Sequence, residues 1–260
     1  MKVSITILTI CLLLSVFNYP NVLGNLEFEL ALYGFLLSFA LDYFVKYCSI
    51  STLGKLDNRN VHIKYNLLWI FVSHGYFLST IFKDSIIYRS RVFRVKQEKL
   101  ARARFIQKAN LYNLWASSAT LAVIAALSIT EVFREYESFK AVITWFVIFR
   151  ALSRSIEIVY AFSKDVIKGE EKTSSSLTKY DRIQLALSSY IENIVNYSVV
   201  YYFFNMTSIS SAVIVSIGRS TISNVDPSKC LLDQSLAYGQ VLTTLSLVVL
   251  SLAIYVSRKK

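Results

Sequence analysis

Turn-forming residues are scarce in this chain: seven glycines and two prolines stand against a hydrophobic share of 54% and an aromatic share of 14%. That balance excludes an ordinary soluble domain of 260 residues and points to long apolar runs. Histidine occurs only as His62 and His74, twelve positions apart and outside any H-E-x-x-H arrangement, so neither a metal site nor a metal cofactor is expected. The three cysteines, Cys11, Cys48 and Cys230, have no metal-ligand or redox spacing. Cys48 and Cys230 are expected near the outer face, where packing is favoured over a disulfide. There is no G-x-S-x-G, P-loop or G-x-G-x-x-G. The expectation is a protein that is not an enzyme and carries no cofactor.

What is present instead is a series of apolar runs near 3–19, 28–47, 67–83, 110–131, 141–163, 183–206 and 236–257. Each approaches the roughly 20 residues a helix needs to cross the hydrocarbon core. Only helices or a closed barrel satisfy every backbone group in lipid, and these runs lack the two-residue alternation of barrel strands. The fold class expected is an all-α membrane protein with six to seven transmembrane helices in a lipid bilayer.

The formal charge of +11 is placed between the runs, which argues against a nucleic-acid partner. Lys83 to Lys108 holds nine basic residues against Asp84 and Glu98, the mark of a cytoplasmic loop that also attracts anionic lipid headgroups. Strict alternation from that loop puts 132–140 outside, 164–182 inside and the C-terminal Arg258-Lys259-Lys260 in the cytoplasm of a multi-pass cell-membrane protein. Counting backwards, 48–66 lies outside and 28–47 begins inside. Residues 1–27 hold an extra spanning helix or an interfacial one, and Val22-Leu23-Gly24 also resembles a signal cleavage site. Cleavage would invert the later helices against the charge pattern, so an uncleaved segment is favoured.

The last third carries the most specific signal. Residues 207–215 are too apolar for a simple outer loop and precede Ser216, Ile217, Gly218, Arg219, Ser220, Thr221 and Ile222. A half-helix that enters the membrane and returns as an extended strand is tolerated where it faces protein or water. This stretch resembles the potassium-channel filter T-V-G-Y-G-D-I. Its context is similar too: a helix, a short re-entrant helix, a turn with Asp226-Pro227, and a closing helix containing Gln240-Val241-Leu242-Thr243-Thr244-Leu245. The resemblance covers about residues 178–257 and is closest to small bacterial ion-channel-like proteins. It implies a homotetramer around a pore, with a monovalent cation as the permeant ion. Arg219 at the aromatic position, Ser220 for the second glycine and Thr221 for the acid depart from the pattern. Four Arg219 side chains around an axis would repel potassium, leaving anion-favouring, nonselective or absent conduction open. The other reading of 207–222 is an outer loop on the membrane surface.

Thr178 and Asp181 have capping-box spacing ahead of 183–206. Ser188, Glu192 and Asn196 follow at four-residue intervals on one face, so Glu192 is expected to face protein and not lipid. The resemblance makes 28–163 a peripheral four-helix bundle, 164–182 a flexible cytoplasmic linker and 183–260 the pore-like domain. Arg150 and Arg154 in the fourth helix are too few for steep voltage sensing. Pairing with Glu157, Glu192 or Asp42 is the expected role, and i,i+3 spacing permits a local Arg154–Glu157 pair. His74 is expected to be a hydrogen-bonded packing residue. A nonconducting scaffold or regulatory subunit is the alternative function, ahead of a small-solute transporter, which would need paired broken helices or an inverted repeat.

Overall fold

The computed structural model describes residues 28–51, 68–90, 95–130, 132–168, 175–205, 208–223, 231–252 and 256. All regular structure among them is helical: α1 (Phe28–Ser51), α2 (Leu68–Ser90), α3 (Val95–Ile129), the single turn α4 (Val132–Glu135), α5 (Glu137–Lys168), α6 (Lys179–Asn205), α7 (Ile209–Ser220) and α8 (Leu231–Leu245). α8 continues as a wider π-helical stretch, Ser246–Leu252. The expected run 3–19, the proposed cleavage site, His62, Cys11, Cys230 and the Asp226-Pro227 turn lie outside the described residues.

Among the described residues, two helical segments, Phe28–Ile50 and Lys99–Ile129, are long and apolar enough to cross a membrane. The mid-helix charges of α5 and α6, Arg150, Arg154, Glu157 and Glu192, lower their hydropathy and are buried. On α1 the buried side is Ser38, Asp42, Lys46 and Ser49, while Leu32, Leu36, Tyr43 and Phe44 are exposed. Spacings of three and four put each set on its own face of the helix. A soluble helix has the opposite polarity, because exposed large apolar patches are unfavourable in water. Trp115 and Val123 on α3 and Tyr238, Leu242 and Val249 on α8 add to the apolar exterior.

The apolar core lies farther along the bundle, around Trp145, Phe146, Ile148, Tyr197, Val200 and Leu236. Gly34 lets α1 approach α5 closely there: a Cβ at this position would lie 2.6 Å from Trp145 Cβ and 2.7 Å from the Phe146 nitrogen. The contact brings the polar face of α1 against α5.

Strict up-and-down alternation fails at α2. Ser38 meets His74, Tyr43 meets Phe82, and Ile50 shares a small core with Phe82 and Phe105. The second part of α2 therefore runs parallel to α1, and the ends of both helices face the same end of the bundle as the start of α3. The reason is a break at Ser73, whose φ of −163° and ψ of 92° are extended backbone inside the helix. Across it Trp69 folds back on Tyr76, with ring centroids 5.0 Å apart, and both rings contact Tyr160. The expected single span 67–83 is thus two helical pieces meeting in mid-bundle. The expected position of Cys48 at the end opposite the basic loop is corrected accordingly, while 52–66 of the expected outer segment lie outside the described residues. Cys48 lies at the same end as Lys83, Arg102 and Lys164, called the basic end below.

The remaining helices follow the expected order with longer bounds. α3 begins within the basic segment, α5 reaches Lys168 and α6 starts at Lys179, so the expected linker 164–182 is shortened from both sides. α6 begins with the predicted reciprocal cap: Asp181 N donates to Thr178 Oγ1 at 3.2 Å, and Thr178 N donates to Asp181 Oδ2 at 2.8 Å.

Candidate functional site

Two polar clusters are buried between helices. The larger lies between α1, α2, α5 and α6 and includes most of the intramembrane residues singled out from the sequence. Arg150 Nη1 donates to Asp42 Oδ1 at 2.8 Å, as the sequence expectation allowed. Arg154 forms a two-pronged pair with Glu192, Nε to Oε1 and Nη2 to Oε2, both at 2.7 Å. Its remaining Nη1 donates to Glu157 Oε2 at 2.5 Å. The planar guanidinium serves two carboxylates at once because its donors form a fixed fork.

Lys46 completes this chain of charges, donating from Nζ to Glu157 Oε1 at 2.8 Å although only 1% of its side chain is exposed. Ser79 donates to the same carboxylate oxygen. Asp42, Glu157 and Glu192 therefore balance Lys46, Arg150 and Arg154, and the set is neutral when all six are ionised. Neutrality matters because an unpaired charge removed from water carries a large desolvation cost. Lys46 was not among the expected partners. The signal was available: Ser38, Asp42 and Lys46 recur every four residues in an otherwise apolar run.

The break in α2 is built into this cluster. Ser73 Oγ accepts from Tyr76 N at 3.2 Å, as an N-cap does, and donates to the Ser153 carbonyl at 2.8 Å. Gly75 N donates to Ser153 Oγ at 2.9 Å. A Cβ on Gly75 would fall 2.8 Å from Glu157 Oε2 and 2.9 Å from Asp42 Oδ2, so the bare backbone admits both carboxylates. His74 is buried as expected, bonded to Ser38 Oγ through Nε2 at 2.9 Å. The same nitrogen is 3.1 Å from Asp42 Oδ2, a contact without hydrogen-bond alignment. Asn196 is buried a turn beyond Glu192 and no hydrogen bond of the network reaches it.

The second cluster holds the filter-like stretch. Ser216, Ile217, Gly218, Arg219 and Ser220 are not an extended strand: they form the last turns of α7. Ser208 caps its start, accepting from Ser211 N at 3.2 Å. Its end is a Schellman turn, with Ser223 N donating to Gly218 O at 2.9 Å and Ile222 N to Arg219 O at 3.2 Å. Ile222 supplies the left-handed residue, φ 61°, where glycine is usual. Thr221 caps the helix and is exposed. The backbone carbonyls of 217–219 are thus engaged in local hydrogen bonds.

Side chains fix α7 between α6 and α8. Arg219 donates to Asp233 from Nη1 at 3.0 Å and from Nη2 at 3.3 Å, and its guanidinium carbon lies 4.3 Å from the centre of the Tyr201 ring. Gln240 Nε2 donates to the Ser216 carbonyl at 3.0 Å and approaches Ser216 Oγ and Ser220 Oγ at 2.9 and 2.7 Å. Gln240 Oε1 accepts from the Tyr201 hydroxyl at 2.6 Å, and Ser216 Oγ donates to Ile194 O at 2.7 Å. The helix replaces the strand because Ser220 stands where a filter has its second glycine, and because Asp233 and Tyr201 bind Arg219 against the body of the protein.

No family model, curated protein or solved structure matches the chain.

Proposed function

We propose that the chain is a multi-pass membrane protein that keeps the layout of a potassium-channel pore domain, helix, short inserted helix, helix, without selective potassium conduction. It acts as a nonconducting membrane component, a scaffold or a regulatory partner. The observation that carries this reading is the Arg219–Asp233 pair stacked on Tyr201. Filter conduction needs free backbone carbonyls on an axis, whereas residues 216–220 are helical and tied to Gln240 and Asp233.

The membrane part of the reading is supported by the apolar exterior around a charged interior, and by the collection of basic residues at one end. With the basic end in the cytoplasm, α1 enters from outside and both ends of α2 face the cytoplasm. α3 then leads outward, α5 inward, α6 outward and α8 inward, and α7 inserts from the outer side.

The test is potassium-gradient flux through the purified protein in liposomes, compared with the double variant Arg219→Tyr, Ser220→Gly. Neither protein is expected to pass potassium above empty liposomes. Flux through the wild type would overturn the reading, and flux gained by the variant would show that a pore backbone lies one or two side chains away.

A further inference from the structure

At the basic end, between α1, α2, α3, α5 and the start of α6, lies a cavity of about 320 Å³. Its deep wall is the edge of the ion-pair network. Toward the bundle end, Lys83, Arg102, Lys164 and Arg182 join Lys46 and Arg154; the last two belong to the neutral network and Arg182 pairs with Asp165, so the surplus is that of Lys83, Arg102 and Lys164 over Asp84. Asn113 of α3 also lines it, with 0% exposure, and neither its Nδ2 nor its Oδ1 has a partner among the described residues. Buried amides are almost always hydrogen bonded. The neighbouring Asn110, one turn earlier, illustrates the rule: it accepts from Ser189 Oγ at 2.9 Å and donates to Leu185 O at 3.4 Å. Asn113 instead holds its donor and acceptor unpaired in the wall of a partly open cavity whose lining carries surplus positive charge.

We propose that this cavity binds a phosphate group. The positive surplus selects an anion over a cation, and the volume sits at the small end of the range for ligand pockets. Turned into the cavity, the Asn113 amide donates to one phosphate oxygen and accepts from a protonated one, while Lys83 and Lys164 at the rim supply charge. Arg154 and Lys46 stay committed to their carboxylates, so binding leaves the network intact. The same chemistry is offered by free inorganic phosphate and by the headgroup of a phosphatidic acid lipid entering from the basic end. The inference stands apart from the pore reading, since no residue of α7 or α8 is involved.

The experiment is thermal unfolding of the purified full chain in uncharged detergent, titrated with inorganic phosphate against chloride at matched ionic strength. Phosphate is expected to raise Tm where chloride does not. Asn113→Leu, which removes the unpaired amide at similar volume, should fold at least as well and bind roughly tenfold more weakly. Lys83→Gln at the half-buried rim reads the same loss should the core variant misfold. If free phosphate has no effect, phosphatidylcholine vesicles with and without phosphatidic acid are compared: stabilisation by the acid lipid that both variants lose assigns the site to a headgroup. No response to either probe, or a wild-type response in both variants, overturns the proposal.

Discussion

The two buried polar clusters use the same chemical pair, an arginine held by carboxylate, to different structural ends. The Arg154 cluster joins residues up to 111 positions apart in sequence and locks α1, α2, α5 and α6 together through one neutral set. The Arg219 cluster joins residues 14 to 24 positions apart, apart from the longer reach of Tyr201, and fixes one short helix against its neighbours. In the first, the pairs Arg150–Asp42, Lys46–Glu157 and Arg154–Glu192 each cross between two helices, so the arrangement is a property of the whole bundle. In the second, the contacts hold one short helix, Arg219–Asp233 and Gln240–Ser216 to α8 and Ser216–Ile194 to α6. What the difference teaches is that a buried arginine near a filter-like sequence signals neither a pore nor a sensor until its partner is known.

The contrast can be broken most severely at Arg154. Replacing Arg154 by Met leaves Glu157 and Glu192 without their shared cation and is expected to cost about 3–5 kcal/mol of stability, measured by reversible unfolding in mixed micelles. Adding Glu192→Leu to that variant should recover part of the loss. A double variant that is less stable than the single one would mean that Glu192 has another partner. Gly34→Ala is next: the added methyl meets Trp145 and the α5 backbone, and about 1–3 kcal/mol should be lost as α1 is pushed off α5. An unchanged Tm would deny the close approach that positions Asp42 and Lys46. The smallest effect has the opposite sign. Ile222→Gly relieves a β-branched residue in the left-handed region at the end of α7 and should gain about 1 kcal/mol. A loss there would argue that residue 222 is not in the turn.

Much of the helical order was legible from hydropathy, because helices in an apolar environment need continuous runs, and the Thr178–Asp181 cap was legible from a local motif. Asp42 and Glu192 were recognisable as pairing carboxylates, since charges within apolar runs must meet partners. The break at Ser73 was not legible. Gly75, two residues on, looks like any helical glycine in the sequence, and the hydrogen bonds of the break are completed by Ser153, 80 residues away. Without that break, strict alternation from the basic loop gives α1 the opposite direction relative to the basic end. The filter-like stretch misled for a related reason: residue identity at 216–218 matches a strand motif, but conformation is decided by what Arg219 and Ser216 find on α6 and α8. Asn113 gave no signal, as one amide in an apolar helix looks like any packing residue until its surroundings are seen.

The central claim is that Arg219 is held by Asp233 inside the protein, which turns a channel-like segment into a fixed helix. A double-mutant cycle of Arg219→Leu and Asp233→Leu, read as unfolding free energy of the purified protein, tests it most directly. A coupling of about 1.5–3 kcal/mol is predicted, the range for hydrogen bonds to charged groups. Two losses that simply add, with no coupling, would place Arg219 away from Asp233 and contradict the account.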